Sequence, residues 1–380
     1  MPVPVNARLR VAVAGGGPAA LEGALALQRL AGDRVDITIV SAERTFSYRP
    51  LSVTEPFGLG APVRYDIAGL AEDRWIDFVH AKVTGVYAPL QRLELAGGES
   101  LEYDALLLAL GARAREALPG ALTFGGSHDV PAIRRALAAL RRHEPLRVAF
   151  VATPDTAWTL PLYELALLTA RWAEAEGLAL EPWLITHEPR ALGVFGPDAA
   201  TPVVEALDDA GVRLWTGAYA DEVADGRLWL SAEGGMPVDL AVALPRLDGP
   251  RLPGVPCDEH GFVPVDAHGA VAGLPGVYAV GDMTARPLKQ GGLAAQQADA
   301  AAAAIAVEAG VLIGTPPYRP VLRGMLLTGT RPRYLRHEDG DAGTAGGEPL
   351  WWPPHKIAGR ELSPYLAAHP ELLVAEPVAT

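Results

Sequence analysis

Three small residues near the N-terminus, Gly15, Gly17 and Ala20, constrain this chain more than any other feature. They follow an apolar run at 10–14 and open a segment in which Leu21, Ala24, Leu25, Leu27 and Leu30 recur with helical spacing up to Gly32. Residues 35–40 then alternate like a strand, which completes a βαβ unit in about 30 residues. Each small residue has a task in such a unit. Gly15 permits the tight turn, Gly17 lets the backbone approach a pyrophosphate, and Ala20 lets helix and strand pack closely. With Pro18 and Ala19 they place the helix N-terminus, with its unpaired N–H groups and positive dipole end, against phosphate. A glycine-rich turn without a ligand has the same spacing, but the strand–helix–strand context argues for a dinucleotide. The acid that usually ends the second strand is replaced by Ser41, with Ala42 and Glu43 after it. Ser41 or Glu43 can take the ribose hydroxyls. This weakens the case for NAD here and leaves FAD open.

Length and charge exclude several classes. A chain of 380 residues is expected to form two or three domains, and 49% hydrophobic residues suffice to bury their cores. A net charge of −13 makes nucleic acid an unlikely main partner. Cys257 is the only cysteine, so no intrachain disulfide or dithiol centre can form. No apolar run approaches about 18 residues, and residues 1–10 lack the core of a secretory signal; a cytoplasmic protein is expected. The nine histidines are scattered, with none at i, i+3 or i+4 from another, so no metal site is expected.

Three later segments bear on the ligand. Residues 103–112 form a buried strand that ends in the small turn Ala109, Leu110 and Gly111. Residues 276–282 form another, ending in Gly281-Asp282, where a carboxylate suits polyol hydroxyls. Lys289, Gln290 and Gly291 then open an alanine-rich helix from Leu293. A helix N-terminus there suits the electron-rich edge of a flavin.

In the order of these segments and in the loop Ser41 to Leu51, the chain resembles the pyridine nucleotide–disulfide oxidoreductase superfamily. The likeness is to the branch of type II NADH dehydrogenases and sulfide:quinone oxidoreductases, and it extends over about residues 8–315. The resemblance implies an α/β fold with two interleaved Rossmann-like, doubly wound domains and a C-terminal cap. Residues 1–113 and 251–315 would bind FAD, 114–250 would form the NAD(P)H-like domain, and 316–380 would be the cap. It further implies that Asp282 holds the ribityl chain and that the turn 289–293 lies under the ring. Arg49 and Pro50 belong to the loop running toward the flavin, and His80, Ala81, Lys82 and Val83 edge the adenine. Lys289 would stabilise the reduced flavin, and Glu164 would stand near the nicotinamide and flavin. Both are the candidates for a catalytic role. Singly, Lys289 and Arg49 also read as surface charges, and Glu164 as a first-turn helix acid.

The middle of the chain departs from the pattern. Strands are expected at 147–151 and 181–186, with a helix at 162–176 between them. The loop 152–161, which should be glycine-rich, has no glycine; it has two prolines, Asp155 and Trp158. NAD(P)H is therefore left open but disfavoured. In the C-terminal part, 318–329 reads as a strand, 338–348 as a mobile loop, and Trp351 and Trp352 as pocket-lining or interface aromatics. Arg331, Arg333 and Arg336 suggest an anionic partner or a solvated strand edge. The leading expectation is an FAD-dependent oxidoreductase acting with a small, quinone-like electron partner. Membrane contact is at most peripheral, and a homodimer is left open. An NAD(P)H:acceptor oxidoreductase and a non-catalytic FAD-binding scaffold are the alternatives.

Overall fold

The computed structural model describes residues 8–140 and 146–374. Residues 1–7, read above for a secretory signal, and 141–145, part of the expected entry into the middle domain, lie outside them, as do 375–380 of the expected cap.

Strand β1 (Leu9–Ala14), helix α1 (Pro18–Ala31) and strand β2 (Val35–Ser41) form the expected βαβ unit. Strands β3 (Asp77–His80) and β4 (Ala105–Leu108) extend the sheet. The next parallel unit contains β5 (Leu122–Thr123), β6 (Leu146–Ala152), α2 (Leu160–Glu176), β7 (Leu180–Thr186), β8 (Arg213–Thr216) and β9 (Leu240–Ala243). The chain then returns to the first sheet with β10 (Val277–Ala279) and α3 (Gly291–Glu308).

The first sheet has the order β10-β4-β1-β2-β3 and the second β5-β9-β6-β7-β8. All pairings in both are parallel. In each, the strand that leads into the nucleotide-type helix is central. Central parallel strands are covered on both faces, which explains the unbroken apolar runs 11–14 and 105–108. Between the sheets the chain crosses out through Arg113–Arg115 and back through Arg246–Asp248, and these two segments pair antiparallel. Helix α2 starts two residues before the expected Leu162, because Pro161 fits the first turn, where no N–H partner is needed.

Alanines on α1 and α3 let the two helices lie side by side: Ala20 and Ala24 share a core with Ala298, Ala301 and Ala302. That contact brings the loops at the starts of both helices to one end of the first sheet. The C-terminal part forms an antiparallel sheet of β11 (Val321–Leu326), β12 (Arg333–Glu338) and β13 (Thr344–Gly346), followed by α4 (Leu362–Ala368). The stretch read as a mobile loop therefore contains a strand. Gly343, at φ +83°, makes this possible: a Cβ there would stand 1.8 Å from the Phe195 carbonyl oxygen. Among the described residues no helix is long and apolar enough to cross a membrane.

The C-terminal part is tied to α1 by a buried acid. Glu22 accepts hydrogen bonds from the backbone N–H groups of Glu361 (2.7 Å) and Leu362 (2.8 Å) at the start of α4. Glu22→Ala leaves these amides without their acceptor and should destabilise the protein by about 1–3 kcal/mol. Urea denaturation of the holoprotein checks this, and an unchanged midpoint refutes it.

Candidate functional site

The glycine loop between β1 and α1 is shaped by contacts on one side and open on the other. Gly15 has φ +138°, and a Cβ on it would lie 2.3 Å from the Ala109 carbonyl oxygen. A Cβ on Gly16 would lie 2.5 Å from Ser41 Oγ. At Gly17 a Cβ would meet nothing within 4 Å. Helix α1 begins at Pro18 with no side-chain cap. Its first amides thus face an open groove, which is the arrangement that binds a phosphate.

The neighbouring strand ends complete the groove. Ser41 is buried, and its Oγ accepts from the Glu43 N–H at 3.1 Å. Ala42 and Glu43 are exposed beyond it. His80 Nε2 lies 2.9 Å from the Ala42 carbonyl oxygen, which brings 80–83 beside that strand end, with Lys82 exposed and Val83 half-buried. Ala109 donates to the Ala14 carbonyl at 2.8 Å, and Leu110 donates to Met283 Sδ at 3.3 Å. Gly111 takes φ +69° after them. Gly281, at φ +75°, would place a Cβ 3.2 Å from Ala19 and 3.4 Å from Ala294, so glycine is needed where α1 and α3 converge.

From Asp282 the groove continues into a cleft of about 260 Å³. Arg49, Pro50, Asp282, Lys289, Gln290 and Gly291 line one part of it. Val53, Phe124, Trp158, Met325 and Ile357 give it apolar walls. The Asp282 carboxylate has no hydrogen-bond partner among the described residues. Burial pushes it toward its neutral form, and Lys289 and Arg49 oppose this. Hydroxyls of a polyol would satisfy it. Lys289 Nζ donates to the Thr284 carbonyl and lies 3.8 Å from the centre of the Phe262 ring. Burial lowers it to about 8, with Asp282 and Asp258 opposing. It is therefore no solvated surface charge. Gln290 Oε1 accepts from the Leu293 N–H at 2.8 Å and caps α3, while its Nε2 donates to the Arg323 carbonyl at 3.0 Å.

Glu164 departs from the reading of an ordinary first-turn acid. It is completely buried, and Lys356 Nζ stands 2.6 Å from both of its carboxylate oxygens. The Leu327 N–H adds a bond of 2.8 Å. Burial raises the acid, and Lys356 holds it down. Lys356 also donates to the Pro50 carbonyl at 3.1 Å and lines the cleft. The sequence reading missed Lys356; its only signal was that it is one of three lysines in the chain.

The pocket reading of the tryptophan pair is corrected. Neither Trp351 nor Trp352 lines this cleft. Trp351 stacks edge-on against Tyr334 and donates Nε1–H to the His355 carbonyl at 2.8 Å. Trp352 is 85% exposed. The residues that reach the cleft are the next ones, Lys356 and Ile357, because the chain turns inward after the prolines.

The corresponding loop of the second unit is filled differently, and part of it borders the same cleft. Trp158 packs edge-on against Phe195, with ring centres 5.8 Å apart. Just past β7, Glu188 is buried and accepts from Tyr163 (2.8 Å), Thr186 (2.9 Å) and Thr159 (3.1 Å) hydroxyls. Thr159 precedes α2 and spends its hydroxyl on Glu188 instead of capping the helix. Sequence reasoning passed over Glu188, since its three partners are up to 29 residues away.

Residues 9–305 match the pyridine nucleotide-disulphide oxidoreductase family. The chain belongs to that family. Within it, the chain is 30% identical to an NADH dehydrogenase-like protein of Mycobacterium tuberculosis over 302 residues, 73% of either chain. It is 28% identical to the dihydrolipoyl dehydrogenase of Thermus scotoductus, over 75% of this chain and 68% of that one. In fold it is similar to the sulfide:quinone oxidoreductase of Aquifex aeolicus, with a TM-score of 0.81 at 19% identity, covering 96% of this chain and 91% of that chain. This family member is a flavin-dependent oxidoreductase. The groove fits FAD: open space at Gly17 for the diphosphate and an unpartnered Asp282 where the ribityl hydroxyls would run.

Gly17→Val would place a side chain in the open groove without touching the core. It should raise the Kd for FAD at least about tenfold while the apoprotein keeps its thermal midpoint. Undiminished flavin content after gel filtration would place the coenzyme elsewhere.

Proposed function

We propose that this flavoenzyme passes electrons between FAD and a small, flat, quinone-like partner that enters the cleft. The observation that carries this reading is the cleft itself. It joins the polar end at Asp282 and Lys289 to the apolar walls of Val53, Phe124, Trp158, Met325 and Ile357. Aromatic and aliphatic walls with a few fixed polar groups suit a planar conjugated molecule. FAD, when bound, supplies the two-electron redox chemistry.

The chain's own residues then have defined tasks. The first turn of α1 and Glu43 bind the diphosphate and ribose ends, and Asp282 takes the polyol. Lys289 sets a positive charge at the head of α3, which favours negative charge arriving at that end of the cleft. Lys356 and Glu164 form a buried ion pair at the cleft wall. Cys257 is exposed and single, so neither disulfide reduction nor cysteine-based sulfide transfer enters this reading.

The loop of the second unit supports a donor other than NAD(P)H. Loop 152–161 has no glycine, Trp158 occupies it, and Glu188 already holds three hydroxyl donors. Asp155 stands in that loop and would repel an added pyrophosphate. The second reading, an NAD(P)H:acceptor oxidoreductase, is favoured by the NADH dehydrogenase-like relative.

Anaerobic stopped-flow of the holoprotein separates the two. Menadione should reoxidise the dithionite-reduced flavin within the mixing experiment, and NADH and NADPH should reduce the oxidised flavin at least about a hundredfold more slowly than that reoxidation. Fast bleaching by either nucleotide establishes the second reading instead. For Lys289, the expected result is a lower flavin midpoint potential in Lys289→Ala, and an unchanged potential removes it from the redox machinery.

A further inference from the structure

One charged group beside the cleft has no task in the account above. Along β11 the side chains alternate. Leu322, Gly324 and Leu326 turn to the core, and a Cβ on Gly324 would stand 2.5 Å from Phe195 Cζ. Arg323 and Met325 therefore share the opposite face. Met325 lines the cleft with its side chain's face of the strand, and the adjacent Gly324 borders it as well, so this stretch of β11 runs along the cleft. Arg323 precedes Met325 on the same face by one side-chain repeat, about 7 Å along the strand.

The register sets Arg323 directly opposite Arg336 on β12, and Met325 opposite Tyr334. Like charges directly opposite on neighbouring strands destabilise a sheet. One acid, Glu338, is close enough to pair, and it pairs with Arg336. Among the described residues the Arg323 guanidinium has no hydrogen-bond or ion-pair partner, and its Nε is buried without one. Arg74, Arg171 and Arg286 also have an unpaired buried Nε, but Arg171 and Arg286 bond through another nitrogen, to Glu174 and to the Asp266 carbonyl, and Arg74 lies over the Tyr365 ring at 5.0 Å. Arg323 does neither. Burial and Arg336 both work against its charge, and Glu338 only partly offsets them. A buried donor such as this Nε is costly without an acceptor, while the half-buried side chain leaves its outer nitrogens open to a ligand.

A guanidinium offers two parallel N–H donors, the geometry that an oxyanion accepts. The chain as a whole carries −13, so its overall field repels anions, and an anion must be held by local pairing. We propose that Arg323 and Arg336 form an oxyanion site beside the cleft, which holds a carboxylate, sulfonate or phosphate group on the small electron partner. The partner class is then an anionic quinone-like compound, with its flat part at Met325 and its oxyanion on the arginines. This rests on the quinone-like reading of the cleft.

The test pre-reduces the flavin of the holoenzyme with dithionite under anaerobic conditions and follows its reoxidation by menadione, which is neutral, or by naphthoquinone sulfonate. Arg323→Gln should raise the half-saturating concentration of the sulfonate about tenfold, leave the limiting reoxidation rate unchanged, and leave half-saturation by menadione within about twofold. Arg336→Gln should do the same, which guards against a fault in one variant. Equal effects on both quinones, or on neither, overturn the site. Sulfate at constant ionic strength gives a readout independent of turnover. It should raise the wild-type thermal midpoint saturably and fail to do so in Arg323→Gln. If neither quinone is used but sulfate behaves in this way, the reading of the cleft fails and the oxyanion site stands. No saturable sulfate effect in the wild type sinks the site whatever the quinones do.

Discussion

A helix that starts without a side-chain cap leaves several amide groups in need of an acceptor. Helix α1 starts in that way, at Gly17-Pro18, with open space in front of it. The rest of the molecule is arranged around that unfilled demand. Gly15 and Gly16 pack so tightly against Ala109 and Ser41 that the loop can take one path only. Gly281 lets α3 close in from the other side. The anion-accepting turn is therefore fixed by close packing, and its preorganisation is what a dinucleotide would bind to.

The cleft beyond it is built by long-range ties. Gln290 caps α3 and reaches the Arg323 carbonyl. Lys356 joins Glu164 on α2 to the Pro50 carbonyl. Glu22 on α1 holds the start of α4. Each tie links the C-terminal part to one of the two sheets, and two of them are buried charges. A buried charge that loses its partner costs several kcal/mol, so these ties hold one arrangement strongly. The apolar walls of the cleft come from five distant stretches of chain, at Val53, Phe124, Trp158, Met325 and Ile357, and have no other reason to meet.

Much of this was legible beforehand, and the reason differs from place to place. The turn at Gly15, Gly17 and Ala20 could be read because backbone needs at a phosphate loop are local. Asp282 could be read because it follows a buried strand. Helix α2 was recognised by its periodicity, and its start was missed by two residues because Pro161 looked like part of the loop. The stretch 338–348 looked mobile because its glycines were read as freedom, whereas Gly343 provides a close approach to Phe195. Trp351 and Trp352 were left as pocket-lining or interface aromatics because aromatics suit both. A residue type gives chemistry without direction, and here the direction is outward for Trp352.

By itself the sequence determined the periodic elements, the glycine cradle and the family. All three depend on residues close together in the chain, where spacing translates directly into geometry. Only the tertiary structure decided that Glu164 meets Lys356 across 192 residues, that Glu188 turns inward onto three hydroxyls, and that Arg323 faces Arg336. Those pairings follow from sheet register and from burial in a medium where an unpaired charge is costly. Neither is written in any local pattern, because both arise only when distant segments pack.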